Sequence, residues 1–120
     1  MYKYLNMNPL SLLEEDCVNR AISLASGMSY AEIQDKLYYV SRLLGLPYNC
    51  ICSYSFLLDD IFLFSRVNGS GITIGEFAYE NPYGVYLVRA KGHLTCIING
   101  VIYDIFDPSD MIITDCWYVD

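Results

Sequence analysis

Apolar residues recur at helical spacing in the first half of the chain and alternate or run in short blocks in the second. Val18, Ala21, Ile22 and Ala25 share one face of a helix that Asp16 can cap and Gly27 ends near Ser26. Ser29-Tyr30-Ala31-Glu32 reads as a capping box for a second helix. Ile33, Leu37, Val40 and Leu44 repeat along it until Gly45 and Pro47 stop the run. Residues 1–13 before these helices look like a leader, with a turn at Asn8-Pro9. The stretch 49–67 is ambiguous, and its apolar run favours a helix over 54–64. Asn68-Gly69-Ser70-Gly71 is a loop, and Thr73-Ile74-Gly75-Glu76 caps a short helix ending before Asn81-Pro82. Strands follow at 84–90, 92–98, 101–107 and 111–118. Helices first and an antiparallel meander afterwards predict one α+β domain over residues 1–120.

Asn99-Gly100 lies between two β-branched runs, a strong hairpin signal because both residues tolerate positive φ. The loop length then decides which side chains meet. A two-residue turn pairs Ile98 with Val101 and puts Asp104 on the face of His93. A three-residue loop with a glycine bulge puts Asp107 there instead. The pattern alone leaves both registers open.

The composition, 54% hydrophobic and 18% charged, excludes a disordered chain. Seven basic and fourteen acidic side chains give a net charge of −7, which argues against direct nucleic-acid binding and leaves room for a basic protein partner. Twelve tyrosines and five phenylalanines suggest half-exposed aromatics at a peptide groove or an oligomer interface. No apolar run reaches the roughly 18 residues of a membrane span, and Met1–Asn6 lacks the plan of a signal peptide. A cytoplasmic protein is expected. The five cysteines include only Cys50 and Cys52 as a close pair, without a histidine cluster, so reduced thiols are expected and no metal or cofactor.

One combination carries chemistry. Cys17 sits at the start of the first helix, and His93, the only histidine, opens a strand whose hairpin partner ends in Asp104 and Asp107. A free thiol with pKa about 8.5 is only a few per cent thiolate at neutral pH. A helix N-terminus and a neighbouring imidazolium both favour the anion, and a carboxylate behind the imidazole fixes its tautomer. Lowering the thiol by two pH units needs about 2.7 kcal/mol, more than one helix end supplies. Cysteine on an early helix, then histidine and an acidic residue on an antiparallel sheet, is the plan of papain-like cysteine hydrolases.

The wording of the chain also resembles a family. Asp16-Cys17-Val18-Asn19-Arg20-Ala21-Ile22 is similar to the D-C-V-x-R-A-I helix start of small papain-like, cysteine-peptidase-like proteins of phages and mobile elements. Asn8-Pro9, Ser29–Ile33, Thr73–Phe77, Pro82–Tyr86, His93–Cys96, Asn99–Asp104, Asp107 and Cys116–Tyr118 extend the resemblance, which is weakest over 46–70. It implies a papain-like cysteine peptidase fold, with N-terminal helices on a C-terminal antiparallel sheet, and a triad of Cys17, His93 and Asp107, with Asp104 the alternative. It also implies a protein or peptide substrate and, for a phage-encoded protein, the host cytoplasm. Two departures stand out. Glu14-Glu15-Asp16 leads acidic charge up to the cysteine, and the upstream glutamine that serves the oxyanion in such enzymes is missing, leaving Asn8 as the candidate. Two rivals use the same chain differently. One is a non-catalytic acidic protein of this fold that occupies a host factor such as a defence nuclease; the other is an amidase or acyltransferase on a small molecule.

Overall fold

A computed structural model describes residues 1–120 and shows an α+β domain in which four α-helices pack on a six-stranded mixed sheet. In chain order the elements are β1 (Tyr2–Tyr4), α1 (Cys17–Ser26), α2 (Tyr30–Leu44), α3 (Ile51–Phe56), β2 (Ser65–Arg66), α4 (Ile74–Glu80), β3 (Val85–Ala90), β4 (His93–Ile98), β5 (Val101–Asp104) and β6 (Ile113–Val119). A π-helical turn, Leu57–Ile61, continues α3. The sheet order is β1-β5-β4-β3-β6-β2. No helix is long and apolar enough to cross a membrane.

The capping boxes at Ser29 and Thr73 form, and Gly27 and Gly45 end α1 and α2 in the left-handed conformation. Val18 and Ile22 of α1, Ile33, Leu37 and Val40 of α2, and Leu57 and Leu58 pack with Leu87, Leu94, Cys96 and Trp117 of the sheet. A second cluster joins Ile74, Phe77 and Ala78 of α4 to Val88, Ile97, Ile102 and Ile113. Leu87 and Val88 are neighbours that serve different clusters, as alternating side chains on a strand require. α1 is enclosed more completely than its apolar stripe foretells, because Asn19, Arg20 and Ser23 are buried with Val18, Ala21 and Ile22.

The structure corrects several expectations. Residues 2–4 are not leader but the sheet's outer strand, parallel to β5, with Tyr4 beside Asp104. The helix expected over 54–64 starts earlier, at Ile51, and widens into the π-turn, because Asp59 turns toward Trp117 Nε1 (2.8 Å) and Arg66. The strand expected over 101–107 stops at Asp104, where the carboxylate accepts the Ile105 N–H at 2.8 Å and bends the chain. Asp16 occupies the N-cap position of α1 without making a capping bond, since its carboxylate is used elsewhere.

Candidate active site

The hairpin of β4 and β5 builds half of the site. Asn99 and Gly100 both take positive φ (50° and 76°), and Ile98 pairs with Val101 across a two-residue turn. Continuing the register from Cys96–Tyr103 sets Asp104 opposite Thr95, on the face of His93. The side chains meet accordingly. His93 Nε2 lies 2.6 Å from Asp104 Oδ2, and the Thr95 hydroxyl donates to the same oxygen at 2.7 Å. The Asp104 backbone is held from the other side, where Leu5 N–H and the Tyr2 hydroxyl donate to its carbonyl at 3.0 and 3.1 Å. β1 therefore clamps the strand that carries the acid.

The other half is the start of α1. With Nε2 on Asp104, the imidazole leaves Nδ1 unpaired, and the Cys17 thiol lies near enough to His93 and the backbone of Leu94 for both to act on its ionisation. Burial raises the Cys17 pKa. The His93 and Leu94 hydrogen bonds, with the charges of His93 and Arg20, outweigh that and bring the thiol below its ordinary value. Burial likewise disfavours the imidazolium, but the Asp104 and Cys17 hydrogen bonds and their charges lift His93 to about 9. Burial raises Asp104, and the bonds from His93 and Thr95 and the His93 charge hold it below the usual carboxylate range. All three shifts favour a thiolate beside an imidazolium at neutral pH.

An open cleft of about 340 Å³ reaches this pair, lined by Glu14, Glu15, Cys17, His93, Asn49 and Phe106 among others. The Phe106 ring leans over the imidazole at 4.7 Å between centroids. The Cys17 N–H, in the first turn of α1, meets no acceptor in the protein.

Cys17, His93 and Asp104 are thus brought together, and Asp107 and Asn8 are not. Asp107 lies past the end of β5 on an exposed loop, where its carboxylate accepts the N–H of Ser109 at 3.0 Å and the Ser109 hydroxyl. Asn8 is buried, but its amide donates to Asp16 Oδ2 and Glu14 Oε2 at 3.0 and 3.2 Å, and its oxygen receives Leu10 N–H. It has no donor free for an oxyanion. The acidic lead-in is also less hostile to a thiolate than its sequence suggests, because Arg20 pairs with Asp16 in the interior. Sequence reasoning overlooked Arg20, Thr95 and Asn49. The i, i+3 spacing of Cys17 and Arg20 was the readable signal for the first, and the β4 alternation of His93 and Thr95 for the second. No group of three or more His, Cys, Asp or Glu side chains is arranged to hold a metal ion. Comparison with known proteins finds no family model, no curated protein and no solved structure that matches the chain.

Proposed function

We propose that the chain is a papain-like cysteine hydrolase acting on a peptide, isopeptide or amide bond, with Cys17 as nucleophile, His93 as acid and base, and Asp104 as the group that orients His93. The observation that carries the reading is the grouping of Cys17, His93 and Asp104, with Asp104 buried behind an imidazole that lines the same open cleft as the Cys17 thiol. The thiolate adds to the substrate carbonyl carbon, and the oxyanion that forms takes the free N–H of Cys17, with the Asn49 amide at the same cleft as a second donor. The C–N bond breaks as the Nδ1 proton passes to the leaving nitrogen, giving a thioester and a neutral imidazole. Water then gives a proton to Nδ1 as it attacks the thioester carbonyl, the acid departs, and Sγ leaves as thiolate with His93 again protonated. Glu14 and Glu15, exposed on the cleft wall with no cation within ion-pair distance, favour a substrate that carries positive charge.

The test is site-resolved alkylation by iodoacetamide, read by mass spectrometry near pH 6.5. Cys17 should react at least tenfold faster than Cys52, and His93→Ala should remove that advantage while the protein still melts cooperatively. Cys50, whose thiol is raised by burial but lowered overall by its Ser53 hydrogen bonds, is the internal comparison, because His93→Ala leaves it untouched. Equal rates at Cys17 in both proteins end the hydrolase reading and leave the acidic, tyrosine-rich surface as the active part.

A further inference from the structure

We propose that Arg20 is a positioning residue for the reactive pair: by spanning Asp16 at the head of α1 and Asp104 behind His93, it holds thiolate, imidazolium and carboxylate in one arrangement. The inference rests on the hydrolase reading and adds a residue to it.

Arg20 is buried, as are both carboxylates it serves. Its Nη1 pairs with Asp16 Oδ1 and donates to the Glu14 carbonyl at 3.1 Å, while Nη2 lies 3.7 Å from Asp104 Oδ1. One planar guanidinium thus ties the segment entering α1 to the end of β5. Asp16 is further held by the Asn8 amide at 3.0 Å and the Tyr30 hydroxyl at 2.7 Å, so its charge is shared and does not wholly cancel that of Arg20. Asp104 divides its oxygens in the same way. Oδ2 receives His93 and Thr95, whereas Oδ1 receives the Ile105 N–H and faces Arg20. Without Arg20 the carboxylate would keep hydrogen bonds on both oxygens and lose the one cation that faces Oδ1.

Arg20 also stands one turn along α1 from Cys17, on the same face. The groups that face the Cys17 thiol are few: His93 from β4, Arg20 from its own helix, Glu14, Glu15 and Asp16 from the entering segment, Asp104 from β5, and Tyr48 and Tyr54 from the other helices. Among them only His93 and Arg20 carry positive charge, and only Arg20 stays charged at every working pH. A staple between the entering segment and the helix would need Asp16 alone. The reach to Asp104 and the closeness to the thiol have no use in a staple.

The experiment removes the buried cation together with its counter-ion, so that no lone charge is left inside. Asp16→Asn, the double variant Asp16→Asn/Arg20→Gln, and Arg20→Lys are compared with the wild type by two readouts on proteins shown to be folded by thermal melting. One is the pH dependence of Cys17 alkylation. The other is the NMR titration of His93, unambiguous because the chain has one histidine. Asp16→Asn, which still offers Arg20 a side-chain oxygen, should keep the fast reaction. The double variant should react about tenfold slower at pH 6.5, a shift of about one pH unit, with the His93 midpoint displaced as well. Arg20→Lys should recover most of the rate. A double variant that matches Asp16→Asn in both readouts overturns the role of Arg20 and leaves the hydrolase reading standing. A wild type in which Cys17 reacts no faster than Cys52 defeats the hydrolase reading itself.

Discussion

Two arginine–aspartate clusters sit toward opposite ends of the strand order, and they are built alike but used differently. Arg66, on β2, grips Asp59 with two bonds of 3.0 and 2.9 Å and Asp115 with one of 2.8 Å, stacks 4.3 Å over Trp117, and is 46% exposed. Arg20, on α1, is 7% exposed, and its contact with Asp104 is a looser 3.7 Å. The exposed cluster is saturated with short bonds and joins β2, β6 and the π-turn. The buried one is deliberately shared, each carboxylate divided among several donors. Charges near the surface are screened and interact at high effective dielectric, whereas buried ones act on their neighbours with little loss. The buried cluster is therefore the one that can set the ionisation of a thiol and an imidazole.

Replacing the carboxylate of the buried cluster should break the resemblance most visibly. Asp104→Asn keeps the shape but removes the charge that raises His93 and one partner of Arg20. Cys17 alkylation near pH 6.5 should fall at least tenfold and stability by about 3–5 kcal/mol, as for other disrupted buried pairs. Asp107→Asn, three residues further on an exposed loop, should change neither by a measurable amount. If Asp107→Asn slows alkylation and Asp104→Asn does not, the orienting carboxylate is misassigned.

The surface cluster should respond more mildly. Arg66→Ala should cost about 1–2 kcal/mol, from ion pairs that salt screens and a cation–π contact, while Cys17 reactivity stays at the wild-type level. Acid separates the clusters poorly. Asp59 is held below its ordinary value first by the Arg66 hydrogen bond; for Asp104 and Asp115 burial acts upward and their hydrogen bonds bring them down. All three contribute stability above about 3.8 that is lost as pH falls through their lowered values. Alkali separates them well. His93, lifted to about 9, contributes stability that is complete below about 6.5 and lost as pH rises toward 9. Cys17, lowered, gains over that window, because the folded state favours the thiolate before the unfolded chain ionises. Urea titrations should show wild type and Arg66→Ala with parallel, shallow profiles from pH 6.5 to 9. Cys17→Ser, which keeps only the His93 half, should decline across the same window.

What the sequence made legible follows from how local each signal was. The capping boxes at Ser29 and Thr73, the glycine stops and the Asn99-Gly100 turn act within four residues, and they form as read. The choice between Asp104 and Asp107 hung on one residue of loop length. Tight two-residue closure with both φ positive resolves it for Asp104, against the expectation drawn from family resemblance. The π-turn, β1 and the fate of Asp16 depended on partners far along the chain: Asp59 on Trp117, Tyr4 on Asp104, Asp16 on Tyr30. Asp16 looks like a helix cap in any local window. Only the folded protein supplies the arginine, amide and phenol that divert it.

The smallest effect tests whether exposed charge at the cleft matters at all. Glu14 and Glu15 line the same opening as Cys17, and neither has a cation within ion-pair distance. At about 4 Å in water one charge is worth about 1 kcal/mol, and less with distance and salt. A cationic methanethiosulfonate carrying trimethylammonium should therefore modify Cys17 about threefold to fivefold faster than its anionic sulfonate analogue, after each is scaled to the exposed Cys52. Glu15→Gln should lower that preference by about half, and about 0.5 M salt should nearly abolish it. Glu14→Gln should do the same with some loss of rigidity, because the Asn8 amide donates to Glu14. The Arg20 and Asp104 variants should change the absolute rate of both reagents and leave their ratio alone. A preference that survives high salt, or that vanishes with Arg20 rather than with Glu15, would mean that the buried cluster selects the reagent and that the two carboxylates on the wall are bystanders.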